Sequence, residues 1–209
     1  MTAVWGPMGW VTLHSVALSY PEMPTPSERE LMASWLDMFR DTITCGYCRG
    51  HFTELLAKYR TLFPGMLNSR QAFAVFTFRA HNAVNRRLNK PVYATVQDCM
   101  DTIQKIVAQR PAKDYRVSYV NHITRYWKTQ QDITGIVALK KIVQMRKIED
   151  EYISSRDKNA KVEIAPDVVL LPSDALENVQ GAQDRPRSLP PMNPRAGFRL
   201  TATGFRLQR

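Results

Sequence analysis

Thr25-Pro26-Ser27-Glu28-Arg29-Glu30-Leu31-Met32-Ala33-Ser34-Trp35-Leu36-Asp37-Met38-Phe39 decides the fold class. Thr25 suits an N-cap, and Pro26 fits the first helical position, where a missing N–H costs nothing. Glu28 stands three residues after the cap, the spacing of a capping box. Leu31, Met32, Trp35, Leu36 and Phe39 then recur at the intervals of one helical face. The same period extends outward on both sides. Trp10, Leu13 and Ala17, with His14 behind them, make an earlier helix that Pro21 closes. A third helix starts around Thr44-Cys45 and carries Cys48, Phe52, Leu55, Leu56 and Tyr59, before Pro64-Gly65 breaks the chain. A fourth runs from about Ser69 to Asn89 with Phe73, Phe76, Ala80, Val84 and Leu88 inward, and stops before Pro91. Thr95 with Asp98 opens a fifth, with Val96, Cys99, Met100, Ile103 and Ile106. Past Pro111 come two more patterns, Tyr115 to Trp127 and Gly135 to Ile153. The second is amphipathic, with Ile136, Leu139, Val143 and Ile148 at helical spacing and Arg146-Lys147 opposing them. Periodicity fades after about residue 155, and Val168 to Leu171 is too isolated an apolar run to assign. No internal repeat and no strand pair stand out. The expectation is an all-α chain: a four- to five-helix bundle over 1–110, a helical extension over 111–155, and a disordered Pro/Arg-rich tail over 156–209.

Composition narrows the function classes. The chain has 209 residues, 44% hydrophobic and 23% charged, the balance of a soluble globular protein. No uncharged apolar run reaches the roughly 18 residues of a membrane span. The first residues lack the basic and apolar regions of a secretory signal peptide, so none is expected. Three cysteines cannot build the dense disulfide framework of a small secreted domain. The net charge of +10 suggests nucleic acid, but its distribution argues against it. Residues 1–110, 111–150 and 151–209 carry net +4, +4 and +2, a spread that reads as solvated surface. Arg185 to Arg209 holds six arginines and no acid, among Pro186, Pro190, Pro191 and Pro194. That stretch reads as a solvated tail rather than a binding arm.

Cys45-Gly46-Tyr47-Cys48 is the chemistry-bearing motif. Two cysteines three apart at a helix start can close a disulfide, and the unsatisfied N–H groups there stabilise a thiolate. Half of a zinc site is one reading, although His14, His51, His81 and His122 are scattered and no second close pair completes it. A thioredoxin-type pair is another, without its βαβ context. A redox pair coupled to something else, or two buried structural thiols, complete the set.

The flanking residues point further. Trp5-Gly6-Pro7, Trp10-Val11-Thr12-Leu13-His14-Ser15-Val16-Ala17 and Tyr20-Pro21 resemble the opening of the Erv/ALR family of flavin-linked sulfhydryl oxidases. So does Pro24-Thr25-Pro26. Cys45 and Cys48 fall where that family has its redox-active disulfide. His81-Asn82-Ala83-Val84-Asn85, then Leu88 and Lys90-Pro91, looks like its second flavin-binding signature. The resemblance covers about residues 5–107. It implies an FAD-dependent thiol oxidase with Cys45 and Cys48 catalytic, and with Trp10, His14, His81, Asn82, Val84, Asn85 and Lys90 lining the flavin. Tyr20 and Tyr93 are weaker lining candidates, Trp5 a packing residue, and His51 a helix-surface histidine. No metal is expected. A partner's thiol would attack Cys45, a second partner thiol would resolve the mixed disulfide, and Cys48 would pass electrons to FAD and so to oxygen, giving hydrogen peroxide.

The chain departs from that family at three places. Thr44 replaces the proline usual before the first cysteine, so the disulfide's potential is expected to differ. No second CxxC is present, so thiol-containing protein substrates would reach Cys45 directly. Ala94 stands where cellular members have the first cysteine of a structural disulfide, which leaves Cys99 either a buried thiol or an intermolecular one. The pattern is most like the forms in large cytoplasmic DNA viruses, which make virion disulfides in a reducing cytosol. Host cytoplasm or virion is the implied setting, with the mitochondrial intermembrane space as alternative, and a homodimer is implied. Membrane and nucleic-acid partners are not expected. The competing reading is a non-enzymatic all-α adaptor with a structural CxxC and a basic partner-binding tail.

Overall fold

The capping box forms as the sequence predicts. Thr25 Oγ1 accepts from the Glu28 N–H at 3.2 Å, and the Glu28 carboxylate accepts from the Thr25 N–H at 2.9 Å. In the computed structural model, which describes residues 2–157, that box opens helix α2 (Pro26–Thr42). It follows α1 (Thr2–Ser19) and precedes α3 (Gly46–Leu62), α4 (Arg70–Arg87) and α5 (Val96–Gln109). Helices α6 (Ala112–Lys128) and α7 (Ile133–Ile148) come next, then a π-helical turn at Glu149–Ile153 and a 3-10 turn at Ser154–Arg156. Among the described residues there is no strand. The expected disordered tail, and with it the Val168 to Leu171 run, lies outside the described residues apart from its first two positions.

Helix α1 packs on α4, α5 and α6; α2 packs on α3 and α7; and α6 packs on α7. Residues beyond Pro111 therefore lean on the first two helices. The Trp127 indole N–H donates to the Thr42 carbonyl at 2.9 Å, which fixes the end of α2 just ahead of the cysteine pair. Gly9 marks a close approach of α1 to α6: a Cβ there would sit 3.3 Å from Tyr119.

Two faces differ from the sequence reading. On α7 the buried stripe is Gly135, Ala138, Ile142, Met145 and Ile148, while Ile136 and Val143 are 53% and 63% exposed. Gly135 sets the start of that face. A Cβ on Gly135 would lie 2.1 Å from the Gln130 carbonyl, so only glycine lets the helix start against that turn. On α4, Leu88 is exposed and Val84 half-buried, because the helix ends at Arg87 and the chain turns away before Leu88 can reach the core.

A buried charged cluster holds this arrangement together. Arg116 on α6 is 2% exposed. Its Nε and Nη2 donate to the two Glu149 carboxylate oxygens at 2.7 and 2.9 Å, and its Nη1 donates to Ser15 Oγ on α1 at 3.2 Å. Asp157 closes the far side of the guanidinium and accepts from Ser19 Oγ at 3.0 Å. The π-turn is what brings Glu149 and Asp157 to the same cation. Removing one partner of such a buried set leaves an uncompensated charge. Arg116→Ala should therefore lower unfolding stability by about 3–5 kcal/mol in urea denaturation. A change below about 1 kcal/mol would mean that the cluster is solvated and inconsequential.

Candidate functional site

Cys45 is the N-cap of α3, in extended conformation, and Cys48 follows in the first turn. The two are joined as a disulfide with Cα atoms 5.2 Å apart, which removes the half-zinc-site reading for this pair. Cys45 Sγ accepts from the Cys48 N–H at 3.2 Å, so an unsatisfied amide of the helix start already points at that sulfur. Both cysteines are half-buried, while Gly46 and Tyr47 between them are exposed. The approach to α3 is held by Arg49, whose guanidinium donates to the Ile43 carbonyl at 2.8 Å and lies 5.5 Å from the Trp127 ring centre. Arg87, from the end of α4, sits over the Tyr47 ring at 5.2 Å, and the His51 ring meets Tyr47 edge-on at 4.2 Å. Burial and then the Arg87 charge hold His51 below its usual range.

A second constellation joins α1, α4 and α5. Trp10 and His81 stack face to face, 4.1 Å apart and 8° from parallel. His14 Nε2 lies 3.0 Å from His81 Nδ1, and Cys99 Sγ lies 3.8 Å from the same His14 nitrogen. Tyr93 meets His81 edge-on at 5.4 Å. His14 is fully buried, and its Nδ1 has no hydrogen-bond partner among the described residues, nor does Thr12 Oγ1 nearby in sequence or Arg87 Nη1. Burial first, and His81 second, push the His14 pKa well down; burial and then Lys90 push His81 down to about 4. Both rings are therefore neutral near pH 7. Burial also raises the Cys99 thiol to about 12, so it is an unreactive thiol.

The segment after α4 is built to return to this cluster. Asn89 takes a φ of 53°, the left-handed conformation that Asn tolerates. The Lys90 N–H then donates to the Asn85 carbonyl at 2.8 Å and the Asn89 N–H to Arg86 at 3.0 Å, the bonding of a Schellman turn. The Asn85 amide donates to the Pro91 carbonyl at 2.9 Å. Asn82 both donates to the Tyr93 carbonyl and accepts from its N–H, at 2.9 and 3.0 Å. The two asparagines hold Tyr93 against His81.

Of the residues singled out from the sequence, Trp10, His14, His81 and Tyr93 are brought together, with Asn82 and Asn85 behind them and Lys90 near enough to bias His81. Val84 is half-buried on the same helix. Tyr20 goes elsewhere: its hydroxyl donates to the Leu67 carbonyl at 3.0 Å and its ring rests edge-on against Phe73. Trp5 is half-buried against the core, as a packing residue would be. Cys99 is buried and free, the first of its two readings. Thr12, Arg87 and the neighbourhood of Cys99 and His14 escaped the sequence reading. Only the helical offset of Thr12 from the Trp10–His14 pair hinted at any of them.

Comparison with known proteins bears on the same residues. The model of the Erv1 / Alr family matches residues 7–104. An FAD-linked sulfhydryl oxidase of Saccharomyces cerevisiae is 32% identical over 118 residues, 53% of this chain and 58% of that protein. The "probable FAD-linked sulfhydryl oxidase" of Acanthamoeba polyphaga mimivirus is 29% identical over 138 residues, 66% of this chain and 95% of that protein. The FAD-linked sulfhydryl oxidase of African swine fever virus is 36% identical over 88 residues, 42% of this chain and 71% of that protein.

The neutral histidines give the site an acid sensitivity. The unfolded chain protonates His81 below about pH 6.5, whereas the folded chain resists until about pH 4. The unfolded state thus binds more protons within that window, so stability is full above it and is lost as pH falls through it. Urea midpoints between pH 7 and pH 4.5 should fall more steeply for the wild type than for His81→Gln. Parallel curves would show that burial is not holding this ring neutral.

Proposed function

The chain belongs to the Erv1/Alr family, and on that premise we propose that it is an FAD-linked sulfhydryl oxidase, forming disulfides in thiol-bearing proteins with oxygen as final acceptor. The observation that carries this reading is the closed Cys45–Cys48 disulfide at a helix N-terminus, held half-buried with exposed residues between its sulfurs. No observation favours a non-enzymatic adaptor.

The residues fit the cofactor. A flavin dinucleotide needs flat apolar surface for its rings and polar groups for its ribose and pyrophosphate. Trp10 and Tyr93 offer the first. His14 Nδ1, buried without a partner, offers a polar contact awaiting one, and Arg87 Nη1 and Thr12 Oγ1 are two more. Lys90 supplies a cation at the end of α4 for phosphate. We assign Trp10, His14, His81, Asn82, Val84, Asn85, Lys90 and Tyr93 to holding FAD, Asn82 and Asn85 by fixing the 90–93 segment.

The chain's own part in the reaction is thiol exchange. A partner thiolate attacks Cys45, forming a mixed disulfide and freeing Cys48 as thiolate. A second partner thiol attacks the partner's sulfur in that bond, the partner leaves as a disulfide, and Cys45 departs as a thiolate. The Cys48 N–H, aimed at Cys45 Sγ, favours that departure. Two electrons then rest on the Cys45/Cys48 dithiol. FAD, when bound, supplies the route by which they reach oxygen.

The finer assignments rest on the same premise. Residues 1–110 form the oxidase domain and 111–155 its helical extension, which α6 attaches through Arg116 and Trp127 and α7 through Lys141 to Asp41. The viral relatives support a host-cytoplasm or virion setting, a second Saccharomyces cerevisiae relative, a mitochondrial FAD-linked sulfhydryl oxidase, keeps the mitochondrial intermembrane space as alternative, and the functional unit is a homodimer.

Cys45→Ser and Cys48→Ser should each abolish oxygen uptake with dithiothreitol while retaining bound flavin, since electrons enter through the disulfide and the flavin is held elsewhere. Turnover in either variant would take the pair out of the reaction. Trp10→Ala and His81→Ala should lose flavin on desalting and melt at lower temperature, because a ligand that binds only the native state stabilises it. Full flavin content in both would move the cofactor to another place. Truncation after Asp157 should leave oxygen uptake and flavin content intact, the last tie to Arg116 being kept. Loss of turnover on dithiothreitol would put the tail in the active site.

A further inference from the structure

The helix start that carries the disulfide presents one side chain to solvent. Ile43 and Thr44 ahead of it are buried, Cys45, Cys48 and Arg49 are half-buried, and Gly46 has no side chain. Tyr47 alone stands out, 53% exposed, between the two cysteines in sequence. Its ring is nonetheless held. The Arg87 guanidinium, from the end of α4, lies 5.2 Å from the ring centre, and the His51 ring, one turn further along α3, meets it edge-on at 4.2 Å. Cation–π attraction and ring packing from two helices thus fix a side chain that stays more than half exposed. Gly46 beside it keeps the surface low. Its backbone is not in the left-handed region, and a Cβ there would meet nothing nearer than Arg49 Nη2 at 3.9 Å. The fold does not require glycine at 46; the bare position leaves room over the backbone between Cys45 and Tyr47.

A protein thiol that attacks Cys45 brings its neighbouring residues over this surface. We propose that Tyr47 is a specificity-determining residue: its held ring receives the side chain next to the reacting cysteine and favours protein substrates in which that side chain is aromatic. Arg87 and His51 already restrict the ring, so a second ring docking on it costs little further ordering. The contact leaves the chemistry unchanged. The substrate thiol gives its proton to solvent, its thiolate sulfur bonds to Cys45 Sγ, the Cys45–Cys48 bond breaks, and the electron pair of that bond leaves on Cys48. Tyr47 enters only through the residue beside the attacking sulfur. The inference rests on the oxidase reading in one respect, the entry of substrate thiols at Cys45, and its test reads that entry directly.

The test offers the full-length, oxidised chain two short monothiol peptides of equal charge, alike except for Phe or Ser beside the cysteine. Exchange is stopped by alkylation, which caps the freed Cys48, and the mixed disulfide on Cys45 is counted by mass spectrometry of the digest. The buried Cys99 thiol does not compete. The Phe peptide should react about two- to tenfold faster than the Ser peptide, the worth of one aromatic pair. In Tyr47→Ala the ratio should fall to about one, and in Tyr47→Phe, which keeps the ring, it should persist. Each ratio compares two peptides on one protein, so a change in the disulfide's own reactivity cancels. Equal rates on the wild-type chain overturn the platform. So does a ratio that survives Tyr47→Ala or is lost in Tyr47→Phe, and so does the absence of any mixed disulfide with either peptide. Oxygen uptake with dithiothreitol on the same preparations separates this inference from the oxidase reading. A selective chain that consumes no oxygen keeps the role of Tyr47 and sinks that reading; a chain that consumes oxygen without selectivity does the reverse.

Discussion

Helix α1 is buried on every side through its middle turns: Val11, Thr12, Leu13, His14, Ser15, Val16 and Ala17 are all below the surface. An all-round buried helix is normally all-round apolar, because each buried polar group must find a partner or cost stability. Three of these seven residues are polar. Ser15 meets the need with its own helix and with Arg116, donating to the Thr12 carbonyl and accepting from the guanidinium. His14 meets it on one nitrogen only. The packing of α4, α5 and α6 around α1 thus also leaves buried polar atoms of α1, His14 Nδ1 and Thr12 Oγ1, without a partner among the described residues.

The elements read well from sequence where local chemistry decides. The capping boxes at Thr25 and Thr95, the N-cap at Ser69 and the helix start at Cys45 stand where their residues place them, since each is a contact over three positions. The faces of α7 do not, because Gly135, Ala138 and Ile142 bury through close approach to α2 and α6. The face is set by the approach of Gly135 and Ala138 to neighbouring elements, and periodicity alone does not pick it over the one with Ile136 and Val143. The pairing of Trp10 with His14 was legible, being one helical turn. The approach of His14 to Cys99 spans 85 positions and depends on how α5 lies on α1, which no local pattern encodes.

Residues beyond Pro111 also look different once packed. As sequence they hold no catalytic motif. As structure they supply Arg116 to α1 and the Trp127 indole to the end of α2, a few residues ahead of the disulfide. The extension thus supports the end of α2 that leads into the Cys45–Cys48 disulfide. This is how a bundle tolerates Thr44 where proline would stiffen the backbone: Arg49 binds the Ile43 carbonyl and leans on Trp127, fixing the entry to α3 from outside.

The Asn89 turn sets a ruler. Asn82 grips Tyr93 eleven positions on, and Asn85 grips Pro91 six positions on, with the left-handed residue between them. Two nested clamps of fixed span leave no slack for an added or deleted residue between positions 82 and 93. A single insertion there would break one clamp or rotate Tyr93 off His81. Diversification of this scaffold, natural or engineered, must therefore take its length changes outside residues 82–93.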